Sequence, residues 1–316
     1  MMNILLSTDD NYVMPTGVLM TSIGENNGSD VCYYILTNTE FSDESRDALT
    51  RVADKYGNTI SFHFITPEMT KTLPFGRDDQ PGHVSIATYY RLFITEILPN
   101  DVHKILYLDG DMIVRHNLSE LWNTDLSGYA VGVVHDLDEV KESKDERLPY
   151  PMKDTGYFNA GMLLINVDYW RQNRCFKEFM AFIDKNQSAI IYHDQDVLNT
   201  VFYDKKKWLP LTFNFQTRFI CLPEYQPDCS AFQDQIDRYK YDPSIIHYVV
   251  SDKPWKISCF CPYRGAWRFY WRRSLWKDIK LSGDIANSPK AWLRNWALRN
   301  DLFYPKSIFE RIIIRK

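Results

Sequence analysis

Residues 105–114 read ILYLDGDMIV, two apolar runs separated by Asp109, Gly110 and Asp111. This stretch fits two different structures. An Asp-Gly pair between apolar runs is a strong local signal for a tight β-hairpin turn. An Asp-x-Asp sequence at the end of a buried strand also presents two carboxylates to a divalent cation, for which carboxylate oxygen is a suitable ligand. The ten residues by themselves favour neither structure.

The residues before this stretch alternate between short apolar strands and amphipathic helices. Predicted strands cover 3–8, 31–38, 59–65 and 104–108, and predicted helices follow the first strand, Ser42 and Ser85. This β-α-β-α-β order predicts an α/β fold, with a mainly parallel sheet flanked by helices on both faces.

Acidic residues follow two of the predicted strands at their carboxyl ends. Asp9 and Asp10 come after the first strand, and Asp109 and Asp111 come after the strand ILYL. Open α/β sheets bind their ligands at the carboxyl ends of the strands. Two acidic clusters at equivalent strand ends therefore favour the cation site over the hairpin.

The composition of the 316 residues is that of an ordinary soluble globular protein. No apolar run approaches the roughly 18 residues of a membrane-spanning helix, and the first residues, MMNILLSTDD, lack the basic region of a secretory signal. The six cysteines form no C-x-x-C pair, so we expect reduced thiols rather than disulfides or a zinc site. These features predict a cytoplasmic protein.

Seven stretches of the chain occur in an order that is characteristic of one enzyme family. They are STDDNYVMPTGV, HVSIATYYRLFI, ILYLDGDMIV, LWNTDLSG, GYFNAGMLLINVDYWR, YHDQDVLN and HYVVSDKPW. Through them the chain resembles glycosyltransferase family 8, and within it the bacterial lipopolysaccharide and lipooligosaccharide galactosyl- and glucosyltransferases. The resemblance implies a GT-A fold, a UDP-galactose or UDP-glucose donor, Mn²⁺ or alternatively Mg²⁺, and transfer with retention of the α configuration. The acceptor would be a saccharide or a lipid-linked saccharide.

The expected metal ligands are Asp109, Asp111 and His247. A divalent cation neutralises a nucleoside diphosphate leaving group as a Lewis acid, and manganese accepts a mixed set of carboxylate and imidazole ligands. Without the resemblance, His247 in SIIHYVV would be taken as a hydrogen-bonded histidine on a buried strand. Lys253 is expected beside the diphosphate, and its alternative is an ordinary solvated lysine before Pro254.

The nucleotide is expected to contact Asp9, Asn11 and Tyr12, with Gly110 between the two metal-binding aspartates. These residues resemble the family's nucleotide-binding stretch, with polar groups for uracil and ribose and a ring to stack on the base. An Asp- and Asn-rich turn also suits a helix cap, and the two roles are compatible. Arg91 matches a family arginine that reaches the donor sugar, with a helix-surface ion pair as the alternative.

A second acidic cluster, YHDQD at 192–196, precedes an apolar helix. In the family, Asp194 and Gln195 would face the anomeric carbon of the donor, with Asn159 and Asp136 nearby. Asp194 would alternatively be a good N-cap for the helix. Retention normally suggests a nucleophilic carboxylate, but Gln195 cannot form a stable glycosyl ester. We therefore favour a front-face reaction, in which the departing phosphate oxygen deprotonates the acceptor hydroxyl.

One position departs from the family pattern. The family usually has glycine three residues after the metal-binding histidine, where its N–H meets a phosphate, and this chain has Val250. A β-branched residue makes close approach and a positive φ harder. The substitution puts the local phosphate contact in doubt more than it does the reaction.

The C-terminal region is basic and rich in tryptophan. Residues 254–316 contain 14 Lys and Arg against 4 Asp and Glu, and six of the nine tryptophans. We expect a catalytic domain over 1–256 and, over 257–316, a region that attaches the protein to an anionic membrane face. Packing of the tryptophans onto the catalytic domain is the alternative. Nucleic acid is not an expected partner, because the rest of the chain is acidic.

Two classes of function remain. The first is a metal-dependent retaining hexosyltransferase that builds a cell-surface glycan, and the second is a non-catalytic descendant that binds nucleotide sugar or membrane. The presence of Asp109, Asp111, His247, Gln195 and Lys253 favours the enzyme.

Overall fold

A computed structural model describes residues 1–75, 85–136, 147–220, 229–249, 251–257, 259 and 261–281. The strands are β1 Met2–Ser7, β2 Val31–Asn38, β3 Thr59–Ile65, β4 Lys104–Leu108, β5 Met112–Val114, β6 Val131–His135, β7 Phe158–Asn166, β8 Lys206–Trp208, β9 Phe215–Gln216 and β10 Ile245–His247. The α-helices are α1 Val13–Asn27, α2 Asp43–Lys55, α3 Pro67–Thr70, α4 Ile94–Ile97, α5 Ser119–Trp122, α6 Met152–Thr155, α7 Val167–Gln172, α8 Cys175–Asn186, α9 His193–Val201, α10 Gln233–Tyr239 and α11 Arg264–Trp271.

A seven-stranded sheet in the order β3-β2-β1-β4-β7-β6-β8 forms the centre of the molecule. Strand β7 is antiparallel to both of its neighbours, and the other pairings are parallel. The predicted mainly parallel α/β sheet is therefore confirmed, with one reversed strand. A second sheet has the order β5-β10-β9.

The stretch ILYLDGDMIV connects the two sheets. Strand β4 pairs with β1 and β7 in the large sheet, whereas β5 pairs with β10 in the small one. Because β4 and β5 do not pair with each other, the hairpin alternative is excluded. Asp109, Gly110 and Asp111 form the turn between the sheets.

The predicted helix after Ser85 is mostly a 3₁₀ helix. Residues Ile86–Phe93 have the 3₁₀ form, and only α4 continues as α-helix. Side chains three residues apart lie above one another in a 3₁₀ helix. This geometry places Thr88 and Arg91 on the same side, where Arg91 Nε donates to the Thr88 carbonyl at 3.0 Å.

The described residues between 257 and 281 pack against the N-terminal half of the protein. Trp267, Trp271 and Trp276 are buried in the same apolar cluster as α1 and β5. For these residues, packing onto the catalytic domain is observed. The rest of the predicted tail, including Trp292 and Trp296, lies outside the described residues, and the domain boundary after 256 stays a prediction.

Within the described ranges, no helix combines the length and apolar character needed to cross a membrane. Five cysteines in the same ranges are free thiols, as expected: Cys32, Cys175, Cys229, Cys259 and Cys261.

Gly17→Ala is expected to destabilise the protein by about 1–3 kcal/mol, the usual cost of overfilling a packed core. A methyl group on Gly17 would overlap the ring of Trp276 and lie 3.1 Å from its Cε3. Urea unfolding followed by circular dichroism measures the change. Combination with Trp276→Leu should recover part of the loss in a double-mutant cycle. Additive effects of the two changes would contradict the packing of residues 257–281 on α1.

Candidate metal centre

Asp109, Asp111 and His247 come together where the two sheets meet. Asp109 follows β4, Asp111 precedes β5, and His247 pairs with Met112 across β10 and β5. One ligand atom of each residue lies within 4.8 Å of the others. His247 Nε2 lies 3.3 Å from an Asp111 oxygen and 3.9 Å from an Asp109 oxygen. Two carboxylates and an imidazole in this arrangement suit a divalent cation, and the structure brings together the three residues that were expected to bind it.

Gly161 of β7 provides the space for this cluster. The carbonyl of Gly161 accepts a hydrogen bond from the backbone N–H of Asp109 at 2.8 Å. A Cβ on Gly161 would overlap the His247 ring at Cε1 and lie 2.9 Å from Asp109 Oδ2. The close approach of β7 to the metal ligands therefore requires glycine at this position.

Lys253 is bonded to Asp111, one of the three candidate metal ligands. Its ammonium donates to Asp111 Oδ2 at 2.6 Å and to the Tyr248 carbonyl at 2.6 Å. Burial by itself would raise the pKa of Asp111, but the Lys253 ammonium, with His247 beside it, outweighs burial and holds this pKa well below its ordinary value. Asp111 is therefore ionised at neutral pH, as a metal ligand must be.

Arg91 lies inside the site and not on a helix surface. Its side chain is 4% exposed, and it contacts Asp109 and Asp194, each at 2.9 Å. Its guanidinium also lies 4.1 Å from the centre of the Tyr107 ring. Burial would lower the pKa of Arg91, but the two aspartates raise it above its ordinary value, so that the group stays charged.

Asp194 is buried beside Arg91. One of its oxygens accepts from the Thr88 hydroxyl and the other faces Arg91 Nε. Burial raises the pKa of Asp194 to about 6 against the opposing effects of Arg91 and Thr88. Asp194 is not an N-cap as the alternative proposed, because α9 begins at His193 and its cap position is Tyr192.

Gln195, Asp136 and Asn159 form a polar group next to the metal ligands. Gln195 Oε1 accepts from the Ala160 backbone N–H at 2.9 Å, and its Nε2 donates to Asp136 at 3.3 Å. Asn159 Nδ2 donates to the same Asp136 oxygen at 2.9 Å. The three side chains that the sequence placed together are thus in direct contact.

Asp196 has a different role from its neighbours. It is fully buried, and its oxygens accept hydrogen bonds from Arg147, the Tyr157 hydroxyl and the backbone amides of Ile191 and Tyr192. These donors fix the turn that leads into α9. Asp196 thereby holds the start of the helix that carries Asp194 and Gln195.

The predicted nucleotide stretch lies at the neighbouring strand end. Asp9 Oδ1 accepts from the Tyr12 backbone N–H at 3.1 Å, so the capping role is observed. The Tyr12 ring packs edge-to-face on Trp255, with 5.4 Å between ring centres. A Cβ on Gly110 would lie 3.0 Å from the Tyr12 ring. Asn11 is exposed. Val250 lies outside the described residues.

Three contributors were not expected from the sequence: Thr88, Tyr107 and Asn214. The Tyr107 hydroxyl donates to Asp109 at 2.6 Å, and Asn214 Oδ1 lies 2.9 Å from His247 Nδ1. Asn214 stands in LTFNFQ, where apolar and polar residues alternate, and this alternation gives Asn214 no partner and no role. Tyr107 belongs to the ILYL strand, and the alternation of side chains along a strand would have placed it and Asp109 on one face.

A model of glycosyl transferase family 8 matches residues 3–259 of this chain. The chain is 27% identical to general stress protein A of Bacillus subtilis over 284 residues, which are 88% of this chain and 96% of that protein. It is 26% identical to lipopolysaccharide 1,2-glucosyltransferase of Escherichia coli over 284 residues, which are 88% of this chain and 80% of that protein.

Solved structures of one galactosyltransferase resemble the whole fold. LgtC in complex with donor and acceptor sugar analogues aligns with a TM-score of 0.73 and 27% identity, over 93% of this chain and all of that one. An active-site mutant of LgtC, with glutamine changed to glutamate, aligns over the same shares with a TM-score of 0.72 and 26% identity. The expected GT-A fold is confirmed.

Gly161→Ala is expected to weaken Mn²⁺ binding by about 10-fold or more, because the methyl group displaces His247 from the aspartates. Isothermal titration calorimetry on the purified protein measures this affinity. Gly132→Ala in β6 is the matched control, since its Cβ would meet a flexible Leu209 methyl at 3.1 Å, away from the ligands. Unchanged binding by Gly161→Ala would show that these residues are not the metal site.

Proposed function

The chain belongs to glycosyl transferase family 8, and on that premise we propose that it transfers galactose or glucose from a UDP-sugar to a lipopolysaccharide or other surface-glycan acceptor. The proposed reaction retains the α configuration and depends on Mn²⁺, with Mg²⁺ as the second candidate. The observation that carries the proposal is the cluster of Asp109, Asp111 and His247. The names of the lipopolysaccharide glucosyltransferase and of LgtC support the donor and acceptor classes.

The three candidate ligands suit a cation that also binds phosphate. Two carboxylates and one imidazole leave coordination positions for diphosphate oxygens, and the cation would supply Lewis-acid neutralisation of the leaving group. Lys253 adds a second positive charge at the same place, since its ammonium lies 2.6 Å from Asp111. Together these groups would stabilise the UDP that departs when the sugar–oxygen bond breaks.

Asp194 and Gln195 form the sugar side of the site, where the donor sugar would bind, and their contacts support a front-face reaction. Asp194 is buried in an ion pair with Arg91, and one of its oxygens accepts from the Thr88 hydroxyl, so that Asp194 is poorly placed as a nucleophile. Gln195 Oε1 uses one lone pair for the Ala160 N–H, and a carbonyl oxygen has a second one. We propose that this lone pair faces the positive charge that develops at the anomeric carbon. The active-site glutamine in LgtC supports this role.

The proposed front-face step exchanges bonds and one proton between the donor and the acceptor alone. The bond between the anomeric carbon and the β-phosphate oxygen breaks, and the acceptor oxygen forms a bond to the same face of that carbon. The acceptor proton moves to the departing phosphate oxygen. Arg91 keeps Asp109 and Asp194 in place during this exchange, since it contacts both carboxylates.

A non-catalytic descendant is the competing proposal. It would bind UDP-sugar without releasing UDP, whereas the enzyme releases UDP from the donor with Mn²⁺ and stops when EDTA is added. Intact Asp109, Asp111, His247, Gln195 and Lys253 favour the enzyme. The same assay with a panel of UDP-sugars separates UDP-galactose from UDP-glucose as the donor.

We further propose that the C-terminal region attaches the enzyme to the anionic cytoplasmic face of a membrane. Within its described part, Phe269, Leu275 and Ile279 are 43%, 38% and 52% exposed. The same segment carries the basic residues Arg272, Arg273, Lys277 and Lys280. Exposed apolar side chains among basic residues suit a lipid interface.

Asp111→Asn is expected to leave the fold intact and to reduce donor turnover by about 100-fold or more, because the cation loses a charged ligand. UDP release at limiting Mn²⁺ measures the effect, and circular dichroism checks the fold. Asp168→Asn is the control, since Asp168 pairs with His103 on the surface. Wild-type turnover in Asp111→Asn would overturn the assignment of the metal ligands.

Gln195→Glu introduces a carboxylate where the wild type has an amide. We expect mass spectrometry to trap a glycosyl-enzyme in this variant and none in the wild type, because a glutamate can form the ester that glutamine cannot. A covalent adduct on Asp194 or Asp196 of the wild-type protein would contradict the front-face reaction.

A chain that ends at Leu281 keeps the exposed segment before it but is expected to bind anionic vesicles much more weakly than the full-length protein, and to keep donor hydrolysis. The deletion removes Lys290, Arg294, Arg299, Lys306, Arg311, Arg315 and Lys316, against Asp284, Asp301 and Glu310. Each basic residue near an anionic surface contributes about 1 kcal/mol, and rising salt should release the full-length protein. Vesicle sedimentation measures both. Full-length protein that never sediments, or a shortened chain that does not fold, would contradict the attachment.

A further inference from the structure

Asn214 lies between the metal ligands and the sugar side of the site. Its side chain is fully buried and makes two hydrogen bonds of 2.9 Å, one with His247 Nδ1 and one with Asn159 Oδ1. Asn159 in turn contacts Asp136, which Gln195 also contacts. A continuous chain of hydrogen bonds therefore runs from His247 to Gln195.

The donors and acceptors in this series of hydrogen bonds are determined at Asn159. The backbone N–H of Gly161 can only donate, and it lies 3.0 Å from Asn159 Oδ1. The Nδ2 group of Asn159 then faces Asp136 Oδ2, a carboxylate oxygen, at 2.9 Å. A flipped Asn159 amide would oppose N–H to N–H at Gly161 and oxygen to oxygen at Asp136. Both neighbours thus require the same orientation.

The orientation of Asn159 determines that of Asn214. Asn159 presents an oxygen, so Asn214 must direct its Nδ2 group toward it. Asn214 Oδ1 is then the atom that faces His247 Nδ1. An amide oxygen only accepts hydrogen bonds, and therefore His247 Nδ1 carries a proton.

We propose that Asn214 is a positioning residue that holds His247 in the Nδ1–H tautomer. This inference rests on the proposed metal site. The neutral ring in this tautomer directs the Nε2 lone pair toward Asp109 and Asp111, where a cation would accept it. Without Asn214, the nearby carboxylates would favour a proton on Nε2, which would then donate to Asp111 and no longer bind metal.

The tautomer is measured directly in the wild-type protein without metal. A ¹⁵N NMR spectrum of the histidine side chains at alkaline pH, where imidazole is neutral, distinguishes a protonated ring nitrogen from an unprotonated one. We expect a protonated Nδ1 and an unprotonated Nε2 for His247, assigned by its absence in His247→Ala. A protonated Nε2 in the wild type overturns the inference, whether or not the protein binds Mn²⁺.

Two substitutions of Asn214 separate the hydrogen bond from packing. Asn214→Leu keeps the volume but removes the acceptor, and we expect Mn²⁺ affinity to fall by about 10- to 100-fold, with the proton of His247 moving to Nε2. Asn214→Asp keeps an acceptor oxygen for Nδ1–H but opposes its second oxygen to Asn159 Oδ1, so we expect it to retain the tautomer of His247 while part of the affinity is lost. Calorimetry measures the affinity, and circular dichroism with thermal unfolding checks the fold.

Asn58→Leu is the matched control. Asn58 is also a buried asparagine, and it accepts from the Val31 backbone N–H at the opposite edge of the sheet. It should leave the tautomer and Mn²⁺ affinity unchanged. Loss of the Nδ1–H tautomer in Asn214→Asp, or an Asn214→Leu affinity within twofold of wild type, would overturn the positioning role. A wild-type protein that binds no Mn²⁺ would instead refute the proposed metal site.

Discussion

Mutual repulsion between the carboxylates of Asp109 and Asp111 is the constraint on which this site depends. The two groups share a partly buried space with His247, and their ligand atoms lie within 4.8 Å of one another. Like charges at this separation are unfavourable in a protein interior unless positive charge is present. Arg91 supplies it to Asp109 and Lys253 supplies it to Asp111. A divalent cation between the carboxylates would complete the compensation.

The architecture brings these charges together through two sheets. The chain leaves the large sheet after Leu108 and enters the small sheet at Met112, so both aspartates lie in the short connection between the sheets. Pairing of β5 with β10 delivers His247, and β7 approaches closely because Gly161 has no side chain. The same strand β7 carries Asn159, which links the metal side to Gln195. In a glycosyltransferase, this connection would join the leaving-group side to the sugar side.

The sequence predicts the features of this site that depend on neighbouring residues better than the contacts between segments that are distant in the sequence. Strand and helix order follows from apolar periodicity, and the strand-end rule places Asp9 and Asp109 correctly at one edge. The partner of His247 depends on strand pairing between segments distant in the chain, and only the family resemblance supplied it. No sequence pattern assigns a role to Asn214 or Thr88, because their roles arise from contacts that exist only after folding. Asp194 was a plausible N-cap, but the left-handed His193, at φ 52°, turns the chain so that Asp194 faces Arg91.

X-ray diffraction at the manganese absorption edge, on crystals grown with Mn²⁺ and UDP, locates the cation itself. We expect one anomalous peak within bonding distance of Asp109, Asp111 and His247 Nε2, with diphosphate oxygens completing its coordination. Crystals of Asp111→Asn grown in the same way should lose that peak. A peak at another place, or UDP bound with no manganese between these three residues, would show that Asp109, Asp111 and His247 do not hold the cation.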